Sequence, residues 1–341
     1  MINLSKTGKK IITTICCVII VLALISIVAI GYMNNMVDKI KKEEINSNEI
    51  SINEKVEEEL NEYRNIAIFG LDSRESNLKA GNRSDCIIIL SINDTKKQIK
   101  VLSVYRDTYV DIEGYGLDKI NHAYSYGGAK LAINTLNRNL DLNIKEFITV
   151  NFESLAKVVN NLDGIELEIS KEEMEYINES VEANSNIIGM ESSKLASYGK
   201  VRLDGVQTVV YSRIRSTSGG DFKRTERMRN VLEALLDKVK NTDIITLTKI
   251  ANSIFQDIYT NINSKEILEI FPSLFEYKIL ESIGWPYEIK EITLDQWYGV
   301  PVTLEQNVTK LHKKLFGENN YEPSKTVKDI SSTIIDKTGY E

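Results

Sequence analysis

The chain has 341 residues, a hydrophobic fraction of 42%, a charged fraction of 27% and a formal net charge of −7. This length is enough for one large domain or two ordinary ones with a substantial core. A general nucleic-acid-binding domain would be basic, so the acidic balance argues against that class and predicts no nucleic-acid partner. The chain has only three cysteines and two histidines, and none has the spacing of a disulfide framework or a zinc site.

An uncharged apolar run occupies residues 11–33, with the sequence IITTICCVIIVLALISIVAIGYM. It is long enough to cross a bilayer of about 30 Å as a helix. Three lysines precede it, Lys6, Lys9 and Lys10, and positive charge before a span places the N-terminus in the cytoplasm. Because the run is longer than the apolar part of a signal peptide, we predict a cytoplasmic tail at 1–10, an uncleaved single-pass anchor and an extracellular domain.

The chain after the predicted anchor changes to a polar composition. Residues 34–62 are rich in mixed charge, which is typical of a stalk that holds a domain away from a membrane. We expect the folded domain at 63–318. The composition of 319–341 is polar and predicts a C-terminal tail of a kind that is often disordered.

Three short apolar runs predict strands at 65–71, 86–92 and 99–104. Each run has charged residues at one end; in chain order these are Asp72 and Arg74, then Arg83 and Asp85, then Arg106 and Asp107. Charged side chains at strand ends lie at the rim of a sheet, where the ligand sites of α/β folds occur.

Helical and strand patterns alternate along the rest of the chain. We predict helices at 128–140, 153–162, 203–213 and from Asp221 to about 240, strands at 146–152, 165–169 and 288–294, and two further helices within 241–281. Asp221 can cap its helix. This alternation favours an α/β domain, with a central sheet flanked by helices.

The segment 209–229 reads VVYSRIRSTSGGDFKRTERMR and holds five of the 11 arginines in the chain. Elsewhere the chain uses lysine for most of its positive charge. The planar guanidinium group holds phosphate or carboxylate through two hydrogen bonds, so this concentration indicates a bounded anion site in an otherwise acidic protein. The alternative interpretation is a solvated, charged helix face.

Seven sequence blocks occur in a recognisable order. They are GLDSR at 70–74, RSD at 83–85, SVYRD at 103–107, KINHAYSYGG at 119–128, NLDGIELEI at 161–169, LDGVQTVVYSRIR at 203–215 and DFKRTERMR at 221–229. With these blocks, the chain resembles the LytR-CpsA-Psr family of cell-envelope proteins over roughly residues 62–318. The anchor predicted before them agrees with this resemblance.

The resemblance implies an α/β/α sandwich with a central mixed sheet, behind an N-terminal transmembrane helix, and a hydrophobic pocket for a polyprenyl chain. It also implies a phosphotransferase of the bacterial cell membrane. Such an enzyme transfers a glycopolymer from an undecaprenyl-pyrophosphate carrier to peptidoglycan, and it uses Mg²⁺, with Mn²⁺ as a possible substitute.

The resemblance also implies roles for individual residues. The metal would be held by Asp72 and Asp85. The residues implied for the pyrophosphate are Arg74, Arg83, Arg106, Arg213, Arg215, Asp221, Arg224 and Arg227. The catalytic set is Asp85, Arg106, Asp107, Arg213 and Arg215. The chain departs from the usual family pattern at Tyr105, Cys86 and Met228, where the family usually has Pro, Thr and Gln.

Phosphoryl transfer needs charge neutralisation and in-line positioning more than covalent chemistry from the protein. Arginines supply fixed donors for the spreading charge, and Mg²⁺ needs only one or two carboxylates beside phosphate oxygens. Asp85 and Asp107 are both candidates for the base. The alternative function is a non-catalytic membrane-anchored receptor or scaffold for polyprenyl phosphates or anionic wall polymers. The arginines would serve it equally, whereas the pair Asp72 and Asp85 favours the enzyme.

Overall fold

The computed structural model describes residues 38–71, 78–215, 220–263, 266–267 and 276–341. The predicted cytoplasmic tail at 1–10 and anchor at 11–33 lie outside this part of the chain. Among the residues that are described, no helix is both long and apolar enough to cross a membrane.

Thirteen strands form within the described residues. In chain order they are β1 (Lys41–Lys42), β2 (Tyr63–Leu71), β3 (Ser84–Asn93), β4 (Gln98–Val104), β5 (Tyr109–Ile112), β6 (Gly116–Lys119), β7 (Glu146–Asn151), β8 (Ile165–Ile169), β9 (Gly199–Leu203), β10 (Tyr259–Thr260), β11 (Lys278–Trp285), β12 (Ile289–Thr293) and β13 (Trp297–Pro301). Seven of them make one sheet in the order β1-β10-β7-β2-β3-β4-β11. Its β1–β10, β7–β2 and β4–β11 pairs are parallel and the others antiparallel, so the predicted central mixed sheet is confirmed.

The helices of the described chain cover both faces of this sheet. They are α1 (Glu54–Glu59), α2 (His122–Leu140), α3 (Phe152–Asn161), α4 (Lys171–Ile188), α5 (Gly205–Arg213), α6 (Gly220–Lys240), α7 (Ile244–Ile254), α8 (Leu304–Phe316) and α9 (Lys325–Thr338). Alternate residues of a strand point to opposite faces. Phe69 and Ile89 accordingly pack in the core with α2, whereas Ile66 and Ile88 pack in a second core that includes Leu232 of α6.

The ends of the first three predicted strands meet at one edge of the sheet. In the antiparallel β2–β3 pair Leu71 lies opposite Ser84, and in the antiparallel β3–β4 pair Ile88 lies opposite Ser103. The end of β2, the start of β3 and the end of β4 are therefore neighbours. We call this edge the active-site rim.

Several predicted elements differ in the structure. The strand predicted at 165–169 forms as β8, but it pairs with β9 outside the central sheet. The end of the segment 241–281, predicted as helical, begins β11, which runs beside β4. The strand predicted last, at 288–294, forms as β12 and is followed by its antiparallel partner β13. Half-buried edge strands such as β11 do not show the regular alternation of apolar and polar residues from which a strand is predicted.

The predicted stalk at 34–62 is wrong for its described part, because residues from Lys41 onward belong to the domain. β1 pairs with β10 at the edge of the sheet. Asn53 caps α1 by accepting hydrogen bonds from the first turn, and Val56 and Leu60 are buried in the main core. The high charge of the segment lies on its exposed side and masks these two apolar anchors.

The domain boundary predicted at 318 is also wrong, because α9 forms within the predicted polar tail at 319–341. Its Val327, Ile330 and Ile334 are buried in the main core at helical spacing, a stripe too narrow to dominate a polar composition. Ser324 caps the helix and also donates from its hydroxyl to Asp141 Oδ1 over 2.6 Å. This helix is therefore part of the folded domain.

We expect the Ile334→Ala variant to lose about 2–5 kcal/mol of unfolding free energy, because a fully buried isoleucine leaves a cavity. Chemical denaturation followed by circular dichroism measures the loss. The matched control is Ser332→Ala on the exposed side of the same helix, which should change stability by less than about 0.5 kcal/mol. Equal stability of both variants and the parent chain would contradict the docking of α9.

Candidate active site

Asp85, the second residue of β3, is the centre of a charge cluster at the active-site rim. Its side chain is only 8% exposed. Arg106 Nη1 donates to Asp85 Oδ1 over 2.7 Å, and Arg224 Nη2 donates to Oδ2 over 2.7 Å. Arg215 Nη2 lies 3.6 Å from the same Oδ2. One buried carboxylate thus gathers three guanidinium groups.

These arginines come from three separate parts of the chain. Arg106 follows β4, Arg215 follows α5, and Arg224 lies in the first turns of α6. The position of α5 depends on Gly205, because a Cβ there would collide with the carbonyl group of Ala156 in α3. The close packing of α5 on α3 brings the end of α5 to the rim.

The arginines keep Asp85 ionised. Burial by itself raises the pKa of a carboxyl group, but here the charges of Arg224 and Arg106 and their hydrogen bonds outweigh it. The pKa of Asp85 is therefore lowered. Burial raises the pKa of the adjacent Cys86 thiol to about 12, so Cys86 is protonated at neutral pH and does not provide a thiolate nucleophile.

Asp107 extends the cluster along the rim. Its Oδ2 lies 3.1 Å from Arg106 Nε, and its Oδ1 lies 3.0 Å from Lys119 Nζ. Lys119 was not among the predicted site residues. The sequence signal that could have identified it is its place at the start of the KINHAYSYGG block. Both oxygens of Asp85 and both oxygens of Asp107 are thus in contact with a cation.

A cleft of about 450 Å³ opens beside the arginines. Helices α3 to α6 line it, and Arg213, Arg215 and Arg224 lie at its charged end. The apolar and weakly polar lining residues are Phe152, Tyr176, Ser180, Asn184, Ile187, Ile188, Val209 and Val210. Arg213 also packs over the ring of Phe152, with Cζ 5.2 Å from the ring centroid. The cleft is therefore lined by apolar side chains, by three arginines and by one carboxylate, Glu153.

The remaining predicted site residues are placed less uniformly. Arg83 is exposed on the loop before β3. Arg227 is buried, and its Nε donates to Glu173 Oε1 over 2.7 Å and its Nη1 to the carbonyl of Ile214 over 3.1 Å. This environment favours a structural role, and the predicted contact of Arg227 with a pyrophosphate stays a prediction. Met228 is also buried, so it packs in the interior.

Three predicted residues have no described side chain. Asp72 and Arg74 lie outside the described residues, and so does the side chain of Asp221, which belongs to the first turn of α6. Because α6 begins at Gly220, Asp221 is inside the helix and does not precede it as an N-cap would. Within the described part of the chain, no group of three or more His, Cys, Asp or Glu residues could hold a metal ion. Of the two predicted metal ligands, Asp72 and Asp85, only Asp85 has a described side chain.

Comparison with known proteins gives consistent matches. The model of the LytR_cpsA_psr family matches residues 27–315. The chain is 32% identical to the polyisoprenyl-teichoic acid–peptidoglycan teichoic acid transferase TagU of Enterococcus faecalis, over 75% of this chain and 78% of that protein. It is similar to the solved structure of TagT bound to LI-WTA, with a TM-score of 0.61, 26% identity, and coverage of 75% of this chain and 90% of that chain. It is also similar to TagT with bound octaprenyl pyrophosphate lipid, with a TM-score of 0.58, 25% identity, and coverage of 76% and 91%.

Replacing Asp85 should destabilise the fold, because its ion pair with Arg224, which is only 2% exposed, would be lost. We expect Asp85→Asn to lose about 3–5 kcal/mol of unfolding free energy, and the double variant with Arg224→Met to recover part of it. Thermal and urea unfolding measure both.

The matched control is Asp163→Asn. Asp163 Oδ2 also lies 2.7 Å from an arginine, Arg202, but both side chains are exposed, so the loss should stay below about 1 kcal/mol. Similar losses at Asp85 and Asp163 would contradict a buried, coupled cluster.

Proposed function

This chain belongs to the LytR-CpsA-Psr family, and from that premise we propose that it is a phosphotransferase that moves a glycopolymer from an undecaprenyl-pyrophosphate carrier to peptidoglycan. The observation that carries the proposal is the junction of the Asp85 cluster with the helix-lined cleft. A headgroup with negative charge and a long apolar tail would fit such a junction. The teichoic acid transferase activity of the TagU and TagT relatives supports it, and so does the octaprenyl pyrophosphate lipid bound to TagT.

The charge balance of the rim suits a pyrophosphate. Arg106, Arg215 and Arg224 contact Asp85, and Arg213 lines the cleft together with Arg215 and Arg224, so four guanidinium groups are concentrated in one part of the structure. Arginine can bind two phosphate oxygens at once, and these side chains are already held in place by Asp85. A pyrophosphate bound here would therefore gain electrostatic stabilisation with little reordering of the protein.

The cleft gives the carrier lipid a place beside the phosphates. Its lining includes Phe152, Val209, Ile187 and Ile188, so the first isoprene units would be removed from water. The rest of an undecaprenyl chain would extend beyond the cleft. The anchor predicted at 11–33 would keep the domain at the outer face of the bacterial cell membrane, where that lipid is held.

The reaction would be an in-line displacement at the phosphorus nearer the sugar. A hydroxyl oxygen of peptidoglycan forms the new bond to this phosphorus, and the bond to the bridging oxygen breaks. Undecaprenyl phosphate leaves, and Arg106, Arg213 and Arg215 would stabilise its charge. The hydroxyl proton passes to a base.

Asp107 is the better candidate for that base. Asp85 has a lowered pKa and hydrogen bonds from two arginines, which make its carboxylate a weak proton acceptor. Asp107 forms ion pairs with Arg106 and Lys119 and is not one of the proposed metal ligands, so it is the carboxylate of the two that remains to accept a proton. Asp85 would then hold the arginines and the metal.

We propose that Mg²⁺ assists this transfer, with Asp85 and Asp72 as its protein ligands. Mg²⁺ would bind here only together with the pyrophosphate of the substrate, because without that anion the arginines around Asp85 would repel a cation. Mg²⁺ commonly binds through one or two carboxylates together with phosphate oxygens. The ion would supply charge neutralisation at the pyrophosphate, and Mn²⁺ could replace it.

We expect Arg213→Ala to slow transfer from a pyrophosphate-linked lipid donor by about 10²- to 10³-fold, because one donor to the developing charge is lost. The measurement is kcat for transfer to peptidoglycan, and the control is Arg202→Ala in the exposed ion pair with Asp163. Addition of EDTA should abolish transfer and added Mg²⁺ should restore it. Unchanged transfer by Arg213→Ala would remove this site assignment, and lipid binding without release of undecaprenyl phosphate would favour the receptor alternative.

Filling the cleft should weaken binding of the lipid tail. We expect Ser180→Trp to raise KM for a long-chain donor about tenfold, equivalent to roughly 1.4 kcal/mol, with a smaller effect on a donor that has a short prenyl chain. Glu179→Trp adds the same ring to the exposed side of α4 and is the matched control. A donor KM that is equal in both variants would place the lipid elsewhere.

A further inference from the structure

A pair of exposed aromatic rings lies beside the active-site rim, on the side away from the cleft. The rings of Tyr115 and Tyr126 stack with centroids 4.4 Å apart and planes at 13°. Their residues are 56% and 40% exposed, so part of each side chain is in contact with solvent. We call these two residues the tyrosine platform.

The structure holds Tyr115 in a particular position. It sits at the tip of the β5–β6 hairpin between Gly114 and Gly116, which have φ values of 81° and 76°. A positive φ is readily adopted by glycine, so this turn can present the ring of Tyr115 to Tyr126 on α2. A Cβ at either glycine would meet no atom within 4 Å, so close packing does not require the two glycines.

The stack is not needed to fasten the hairpin. Asp111 in β5 is already tied to α2, because its backbone N–H donates to Asn139 and its carbonyl accepts from the same side chain, over 3.0 and 2.8 Å. Arg138 Nη2 adds an ion pair to Asp111 over 3.2 Å. The platform therefore offers an aromatic surface beyond what the fold requires.

Polar groups surround the platform. The Tyr126 hydroxyl lies 3.5 Å from His122 Nδ1 and donates to Asp118 Oδ2 over 2.7 Å. This hydrogen bond raises the pKa of Tyr126 to about 12, and the positive charge of Arg83 opposes the rise, which indicates that Arg83 is near. An apolar ring face edged by hydrogen-bonding groups matches a sugar ring, which has C–H groups on its faces and hydroxyls around its edge.

Backbone hydrogen bonds connect the platform to both sides of the catalytic cluster. Gly81 N–H, in the loop before Asp85, donates to the carbonyl of Ser125 in α2 over 3.0 Å. Asn121 N–H, at the start of α2, donates to the carbonyl of Arg106 over 3.1 Å. The helix that carries Tyr126 is therefore bonded both to the loop before Asp85 and to Arg106.

The direction of attack at phosphorus decides whether the tyrosine platform would bind a sugar of the donor or a sugar of the acceptor. The cleft is formed by α3 to α6, whereas the platform belongs to α2 and the β5–β6 hairpin; α2 and α6 cover opposite faces of the sheet. In-line displacement requires the attacking hydroxyl to approach opposite the leaving lipid phosphate. We propose that the tyrosine platform binds a sugar ring of the acceptor glycan and presents its hydroxyl to the rim. This inference rests on the proposed transfer function.

The test compares Tyr115→Ala and Tyr115→Trp in the full chain, with Tyr198→Ala as the control at an exposed tyrosine outside the platform. The acceptor probe is a soluble glycan fragment of peptidoglycan. We expect Tyr115→Ala to raise the acceptor KM by about five- to tenfold, more than it lowers kcat, with the donor KM unchanged. Tyr115→Trp should restore the parent value, and Tyr198→Ala should keep it.

An unchanged acceptor KM would overturn the proposal. A raised donor KM instead would also overturn it and would assign the platform to the donor sugar. If the parent chain shows no transfer, calorimetric titration with the same glycan fragment separates the two hypotheses. Binding that weakens in Tyr115→Ala alone would support the platform although the transfer proposal failed, and absent or equal binding would reject the platform.

Discussion

The ionised carboxylate of Asp85, buried at the edge of the sheet, is the constraint on which the rest of the site depends. An isolated buried charge costs several kcal/mol, so Asp85 must be paired. Its partners, Arg106 and Arg224, are more than a hundred residues apart in the sequence. The same ion pairs that satisfy Asp85 therefore bring the SVYRD segment and the arginine-rich helix together.

This arrangement orders the arginines that we propose to bind the substrate. Guanidinium groups held by a carboxylate are ordered before a ligand arrives, so binding an anion requires little loss of side-chain freedom. Arg215, whose side chain is 49% exposed, faces solvent at the cleft mouth, whereas Arg224 is almost fully enclosed. Within the cluster, Arg224 therefore has a structural role, whereas a substrate can reach Arg215.

The two proposed binding surfaces, one for the lipid and one for the acceptor glycan, lie on opposite faces of the sheet. Helices α3 to α6 form the cleft beside the cluster, and α2 with the β5–β6 hairpin forms the tyrosine platform on the other side. The active-site rim is where the two meet. Such a division suits a reaction that joins two large substrates, because an apolar tail and a sugar chain need different surfaces.

The sequence predicted the family and the strands that end at the rim, and the family resemblance assigned Asp85, Arg106, Arg215 and Arg224 to one site. Apolar runs and charged strand ends are local patterns, so they can be read without knowing which elements meet. Tertiary structure alone decided the pairing of β11 with β4, the docking of α9, the burial of Arg227 against Glu173, and the role of Lys119 beside Asp107. These features depend on contacts between residues distant in the chain, and a narrow apolar stripe or a single lysine acquires its meaning only from the partner that folding places opposite it.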